Sequence, residues 1–177
     1  MKRAVVLFAL TALLLIGCFF EYPLTTEHNI PVDSAALGLW ELMENGKEEP
    51  NQSYRITILK YSDTEYMIRY PFEEFEEFEE IFYFRGYPIK IGGISCVQLQ
   101  VIGTRDGPLE KGMKNLFHVA SYQLTDGKLI IKLLNTDLVE NASVAEYPDS
   151  EALRKAFLKH KNNKELFTDP GSFRKIE

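Results

Sequence analysis

The sequence predicts an all-β fold, an antiparallel β-barrel of seven to nine strands with one helix near the carboxyl end. Two observations lead to this prediction. Apolar and polar residues alternate in several runs, most clearly in 54–61, 65–70, 94–102 and 128–134, as they do in strands with one buried and one wet face. Turn residues separate successive runs, and Asp126-Gly127 is the strongest hairpin signal. A meander of seven or more strands usually closes on itself, so a barrel is favoured over a sandwich.

The predicted strands are rich in Val, Ile, Tyr and Phe, which suit a pleated surface. They cover 37–43, 54–61, 65–70, 81–87, 94–102, 116–124 and 128–134, and 172–176 forms a last short strand after the turn Asp169-Pro170-Gly171. A second hairpin turn is predicted at Ser62-Asp63. One helix is predicted from Asp149 or Ser150 to about Asn162, because Leu153, Ala156, Phe157 and His160 recur at helical spacing and lysines gather at its end.

The amino terminus predicts export. Lys2 and Arg3 precede an apolar run over 4–16, which is too short for a bilayer that needs about 20 helical residues, so it is interpreted as the core of a signal peptide. The tetrad Leu15-Ile16-Gly17-Cys18 resembles the lipobox of bacterial lipoproteins. The resemblance implies cleavage before Cys18 and acylation of its thiol. Since each buried methylene contributes ~0.8 kcal/mol, two or three acyl chains would hold the protein on a membrane. The alternative is an ordinary secretory signal that contains Cys18.

The predicted organisation is a signal peptide over 1–17, a tether over 18–34 and a barrel domain over 35–177. The tether prediction depends on the absence of any clear period between Phe19 and Ser34. Without the signal peptide, 18 basic residues face 26 acidic ones, so nucleic acid is a poor partner. With Cys18 acylated, Cys96 is the remaining cysteine. It lies within a strand pattern and is predicted to be a small buried residue and not a nucleophile.

The order of elements resembles the lipocalin or calycin architecture and a group of uncharacterised bacterial lipoproteins with lipocalin-like barrels. The triplet Gly38-Leu39-Trp40 opens the first strand, a meander follows, and a single helix leads to a closing strand. The resemblance implies that Trp40 plugs the closed end of the barrel, that Gly38 lets the chain bend under it, and that Arg174 is the candidate to stack on Trp40. The chain lacks the Thr-Asp-Tyr triplet of classical lipocalins.

Five residues are candidates for the barrel end or for a ligand pocket: Trp40, Tyr66, Tyr70, His118 and Tyr122. Alternation predicts that His118 projects inward beside Tyr122 and offers a polar handle to a ligand. The alternative is a wall histidine whose hydrogen bonds are satisfied by the protein.

The segment 71–82 repeats an aromatic residue every third position among six glutamates. One or two helical turns starting at Pro71 would place Phe72, Phe75 and Phe78 on one side, where they could form a flap over the barrel. The alternative is a solvated acidic loop with its aromatics packed on the body. Calcium loops need Asp, Asn and Gly at set offsets that are absent here, so no metal site is predicted.

Three function classes follow. A barrel lined by aromatics favours a carrier of a small apolar ligand or lipid, with a lumen above ~300 Å³. A filled barrel would instead favour an envelope module that binds another protein. An enzyme is least favoured, since no catalytic motif, cofactor site or nucleophile-base pair is visible. Export and acylation predict a lipid-anchored protein, and Phe19 after the cysteine favours the periplasmic face of the outer membrane.

Overall fold

The computed structural model describes residues 20–43, 50–75, 78–109, 116–139 and 149–176, with side chains for all of these except 50–54, 72–75, 78–80 and 169–170. The chain forms a closed antiparallel β-barrel of eight strands, because β4 pairs with both β3 and β5 and so joins the two ends of the sheet. A ninth strand of two residues pairs with β5 alone. The predicted fold class, a lipocalin-like antiparallel barrel with a helix near the carboxyl end, is confirmed.

The strands in chain order are β1 (Gly38–Met43), β2 (Pro50–Ser62), β3 (Glu65–Phe75), β4 (Phe78–Ile91), β5 (Ile94–Thr104), β6 (Gly107–Pro108), β7 (Phe117–Thr125), β8 (Lys128–Leu134) and β9 (Phe167–Lys175). Two helices lie between β8 and β9, namely α1 (Thr136–Val139) and α2 (Ser150–Lys159), and a 3-10 turn (Ser34–Ala36) precedes β1. Asp149 caps α2, since its carboxylate accepts a hydrogen bond from the amide of Ala152 at 2.9 Å.

The two hairpins predicted from sequence are present, and the turn after β2 lies at Asp63-Thr64, one residue later than predicted. Asp126 and Gly127 have φ values of 51° and 71°, the left-handed pair that a tight primed turn between β7 and β8 requires. Because the strands are antiparallel, the turns after β2, β4 and β7 lie at the same end of the barrel. The 3-10 turn before β1 lies at that end too, and we call it the closed end. The strand connections after β1, β3 and β5 lie at the opposite end.

The barrel has two cores on the two faces of its wall. The inner core fills the barrel with side chains that alternate along the strands: Trp40, Ile56, Ile58, Tyr66, Val97, Leu129 and Phe173. The outer core lies outside the barrel, where α2 and the amino-terminal residues cover Tyr87, Ile89, Cys96 and Val119. Leu153 and Phe157 of α2 are fully buried in this outer core. Alternation is therefore less clear in β4 and β7, because both of their faces are covered.

The prediction of a tether over 18–34 is wrong for the part that the structure describes. Residues 20–36 form a strap along the outer wall. At its start Phe20 forms a backbone bridge with Phe117, and Leu24 is buried in the outer core. The strap has no period because its bonds to the barrel are irregular, with Gln98 accepting hydrogen bonds from the amides of Leu24 and Thr25. The folded domain therefore includes Phe20 and does not begin at Ala35.

The helical turns predicted from Pro71 are absent, because the backbone is extended on both sides of the β3–β4 connection. Phe72 pairs with Glu80, and Phe75 pairs with Phe78, so β3 and β4 run on to form the tip of a long hairpin. The alternation of Tyr66, Ile68 and Tyr70 continues to Phe72, and this strand period prevails over the period of three. The side chains of Phe72, Phe75 and Phe78 lie outside those that the structure describes, so the flap remains a prediction.

Arg174 does not stack on Trp40. It pairs with Glu41 across β9 and β1, and the next residue, Lys175, is the one opposite Trp40. The ammonium nitrogen of Lys175 lies 5.5 Å from the centre of the Trp40 ring. Since a shift of one residue moves a side chain to the other face of the sheet, Arg174 points away from the inner core. The cation that meets the tryptophan is thus a lysine.

Candidate functional site

An apolar cavity of about 90 Å³ lies inside the barrel. Side chains from six of the eight barrel strands line it, and Ala36 of the 3-10 turn forms part of its floor. Apart from Ala36, the lining residues are Ile56, Ile58, Tyr66, Ile68, Tyr70, Phe84, Val97, Leu99, His118, Ala120, Tyr122, Leu129, Ile131 and Leu133. The small residues Ala36 and Ala120 leave the space that larger side chains fill elsewhere in the inner core.

The lining carries no charge at neutral pH. Burial raises the pKa of the Tyr70 hydroxyl, so it keeps its proton. Burial also lowers the pKa of His118 from its usual 6.5, against an opposing hydrogen bond with the Val119 backbone, so its ring is neutral. The Nδ1 atom of His118 lies 2.8 Å from the amide nitrogen of Val119. His118 therefore combines a place in the lining with hydrogen bonds to its own chain.

The closed end is held by hydrogen bonds to the 3-10 turn. The indole nitrogen of Trp40 donates to the carbonyl of Ala36 at 2.9 Å, and the amide of Asp33 donates to the hydroxyl of Tyr66 at 2.6 Å. The hydroxyl of Tyr122 lies 3.4 Å from a carboxylate oxygen of Asp33. Burial raises the pKa of Tyr122, and the neighbouring Tyr66 and Asp33 raise it further. The residues before β1 thus form a floor bonded to three aromatic side chains.

The structure brings four of the five predicted pocket residues together. Tyr66, Tyr70, His118 and Tyr122 line the cavity. Trp40 is 1 % exposed and packs in the inner core without lining the cavity. Gly38, which begins β1, has a φ of 135°, in the region that favours glycine at the bend. Cys18, the predicted acylation site, lies outside the described residues.

Two residues of the site were not predicted from sequence. Asp33 fixes the floor, and its signal was its place before Ser34, since its carboxylate caps the 3-10 turn at the amide of Ala35. Gly86 lies on the inner face, where an added Cβ would be 2.9 Å from Cδ1 of Ile68. A side chain at position 86 would take up space inside the barrel, and no turn marks this glycine in the sequence.

Two buried carboxylates lie outside the cavity, on the outer wall. Glu41 is 2 % exposed and accepts hydrogen bonds from Arg55 and Arg174, one on each oxygen. Glu65 accepts hydrogen bonds from Arg85 at 2.8 Å and 2.9 Å and lies 2.9 Å from Nδ1 of His28 in the strap. The ring of His28 also stacks on Tyr87 at 3.8 Å. These carboxylates are fully paired, so they hold the wall and the strap together.

No group of three or more His, Cys, Asp or Glu side chains in the described ranges has the geometry to hold a metal ion. In the same ranges, no helix is long and apolar enough to span a membrane. Cys96 is buried, and burial raises the pKa of its thiol to about 12. The described part of the chain therefore offers an apolar cavity as its main candidate site.

Comparison with known proteins identifies no relative of this chain. No protein-family model matches the sequence, and no curated protein or solved structure is significantly similar to it.

Proposed function

We propose that this protein is a lipid-anchored lipoprotein of the bacterial envelope whose barrel binds a small apolar ligand or one chain of a lipid. The observation that carries the ligand-binding part is the apolar cavity enclosed by the barrel. Its lining is uncharged at neutral pH, and its floor is closed by the 3-10 turn. Pockets of this kind bind by excluding water from apolar surface, with few polar contacts.

The size of the cavity restricts the ligand. At about 90 Å³ it lies below the ~300 Å³ at which ordinary small-molecule pockets begin. A dry apolar cavity of ~150 Å³ in another protein core accepts benzene, so this smaller cavity would have to expand to hold even a small ring, and a bulky ligand is excluded. A single acyl chain matches this space in width, although only a few of its methylene groups fit in it at one time. A wider ligand would require side chains of the inner core to move.

The same volume favours a second candidate function. A barrel this well filled also suits an envelope module that binds another protein on its outer surface. Exposed apolar side chains are present on the outer wall, with Leu59 at 54 % and Tyr61 at 58 % exposure. In this alternative the cavity is only a packing gap, so the two functions differ in whether the purified protein contains a ligand.

The proposed anchor depends on the resemblance of Leu15-Ile16-Gly17-Cys18 to a lipobox. Acyl chains on Cys18 would hold the barrel at a membrane without a membrane-spanning helix. Phe19 after the cysteine supports the periplasmic face of the outer membrane. We propose a binding role in place of catalysis, since the cavity lining combines no nucleophile with a base.

The ligand is tested by solvent extraction of the purified full-length protein followed by mass spectrometry. We expect one class of apolar molecule in near-stoichiometric amount. The Ala120→Leu variant, which fills the cavity, should lose that molecule. The Ser121→Leu variant is the matched control, because Ser121 is the next residue of β7 and faces the other side of the wall. Equal amounts in all three proteins would mean adsorbed lipid and support the filled barrel.

The anchor is tested separately by growing the producing cells with labelled palmitate. We expect label in the wild-type protein and none in Cys18→Ser. Membrane binding should fall in parallel, because the acyl chains supply the apolar area that holds the protein. A Cys18→Ser protein that stays equally membrane-bound would refute the anchor and leave the ligand proposal standing.

A further inference from the structure

The strap runs along the barrel wall from the start of β7 to the closed end. It starts where Phe20 bridges Phe117 through two backbone hydrogen bonds of 2.7 Å and 2.8 Å. Phe117 is the first residue of β7, on the side of the opposite end, and it pairs with Gln100, four residues before β5 ends. It finishes at the closed end, where the amide of Val32 donates to the carbonyl of Asp63 in the turn after β2. Among the described residues, the strap therefore first contacts the barrel at the start of β7, away from the floor of the cavity.

The strap is held at several points along this path. The carboxamide of Gln98, which has no exposed surface, bonds to Leu24 and Thr25. Farther along, His28 bonds to Glu65 and stacks on Tyr87. Phe20 itself is 6 % exposed and belongs to the outer core. A segment with this many buried contacts is part of the folded domain, so the strap does not act as a long flexible linker.

Covalent geometry then limits where an anchor can be. One residue, Phe19, separates Cys18 from Phe20. Two residues of fully extended chain reach at most about 7 Å. If Cys18 carries acyl chains, their attachment point is within that distance of Phe20, beside the start of β7 on the side of the opposite end. The bilayer surface is then beside that end, and the closed end points away from it.

We propose that the end of the barrel opposite the closed end faces the membrane, so that the ligand is an apolar chain taken up directly from the bilayer that anchors the protein. This inference depends on the acylation of Cys18 put forward under the proposed function. The floor built by Asp33, Ala36 and Trp40 closes the cavity on the aqueous side. A chain that enters from the membrane side crosses no layer of water, which removes the largest cost of moving apolar surface.

The charge of the same end indicates which lipid surface suits it. The hairpin of β3 and β4 ends there, and six glutamates lie in 71–82. Carboxylates beside an anionic lipid surface are repelled, whereas zwitterionic headgroups impose no such penalty. The proposed orientation is therefore expected on zwitterionic bilayers and is weakened as anionic lipid is added.

The orientation is tested with the full-length acylated protein in phosphatidylcholine and phosphatidylethanolamine vesicles. A fluorophore is attached to Asp106→Cys in the exposed turn between β5 and β6, at the proposed membrane side. In a second variant it is attached to Asp63→Cys at the closed end. The two ends are about 25 Å apart, given the length of β5 and the usual tilt of barrel strands. Cys96 is buried and does not compete for the label.

We expect spin-labelled lipids to quench the label at position 106 several-fold more than the label at position 63. Equal quenching, or stronger quenching at 63, would overturn the orientation while vesicle flotation still reports an anchored protein. Failure of the protein to float would overturn the anchor and this inference with it. Palmitate labelling distinguishes the two failures, because it depends on acylation alone.

A variant with an inserted linker tests whether the strap sets the orientation of the barrel on the membrane. Ten Gly and Ser residues inserted between Phe19 and Phe20 add a flexible reach of about 17 Å while keeping Cys18 and the strap unchanged. We expect this variant to float as the wild type does and to lose the difference in quenching between the two positions. A difference that persists with the linker would show that the strap does not set the orientation.

Discussion

Gln98 and Leu24 are joined by a buried hydrogen bond across 74 residues of sequence, from the amide of Leu24 to the carboxamide oxygen of Gln98. The same carboxamide donates to the carbonyl of Thr25 at 3.0 Å. A single side chain of β5 thus satisfies backbone groups of the strap in both directions. This pairing explains how a segment with no regular structure is held on the barrel wall.

The Gln98→Leu variant is expected to loosen the strap. Leucine has a similar size but leaves the amide of Leu24 and the carbonyl of Thr25 without their partner, which costs about 1–3 kcal/mol of unfolding free energy. Urea denaturation measures this loss, and limited proteolysis should show earlier cleavage within 20–36. Gln123→Leu is the control, because Gln123 bonds only to a neighbouring hydroxyl at the surface. Equal stability of the two variants would contradict the role of Gln98.

The cavity predicts a gain of stability when it is filled. Ala120 is 5 % exposed and lines the cavity, so Ala120→Leu adds apolar atoms where space exists. We expect the unfolding free energy to stay equal or rise by up to about 1 kcal/mol, while ligand content falls at least tenfold. Thermal unfolding and mass spectrometry check the two effects. Loss of stability above about 2 kcal/mol would mean that the cavity cannot accept the added atoms.

Acid is expected to destabilise the protein through Glu41 and Glu65. Hydrogen bonds from Arg174, joined by those from Arg55, outweigh burial and hold the pKa of Glu41 below its usual 4.5. Burial raises the pKa of Glu65, but hydrogen bonds from Arg85 and His28 outweigh it and leave the value below 4.5. Each carboxylate therefore stabilises the fold above pH 4.5, and this contribution is lost as the pH falls through the lowered value.

The double variant Glu41→Gln with Glu65→Gln isolates this effect. At about pH 7 it should be less stable than the wild type, because the arginines lose their ionised partner. Below about pH 4.5 its midpoint should decline less steeply than that of the wild type. Thermal unfolding over this range gives both slopes. Parallel slopes of the unfolding midpoint against pH would assign the acid sensitivity to other carboxylates. The surface variant Glu165→Gln serves as the control.

Gly92 and Gly93 offer a matched test of the packing of α2. Both have positive φ, at 60° and 90°, so alanine strains the backbone at either position. Only at Gly92 would the added Cβ meet another residue, Cδ2 of Leu158, at 2.4 Å. We expect Gly92→Ala to be less stable than Gly93→Ala by about 1 kcal/mol, and Leu158→Ala to remove that difference. Equal effects would mean that α2 shifts freely over the turn.

The sequence was sufficient to predict the strands, but not to predict which segments cover their outer faces. Alternation in β2, β3 and β8 identifies the inner face, since their outer faces are wet. It fails for the strap, because Phe20 and Leu24 belong to no periodic run. Their partners, Phe117 and Gln98, are distant in sequence. A buried glutamine within an apolar strand was the available signal, since such a side chain needs partners.

Two wrong predictions, the stack on Trp40 and the helical turns after Pro71, have identifiable physical causes. The stack of Arg174 on Trp40 depended on register, and register between β9 and β1 is fixed by the whole sheet, so the sequence could not place Lys175 there instead. The helical turns after Pro71 were inferred from a period of three over a short segment. Long antiparallel pairing with β4 offers more hydrogen bonds than two isolated turns, whose nucleation is costly.

The burial of Cys96 determines how its thiol responds to oxidants. Only the thiolate exchanges with disulfides or reacts with peroxides, and a thiol with a pKa of about 12 is ionised in roughly one molecule in 10⁵ at neutral pH. Cys96 is thus unreactive toward disulfides and peroxides. An oxidant that cross-links exposed thiols would therefore leave two copies of this protein unlinked at position 96.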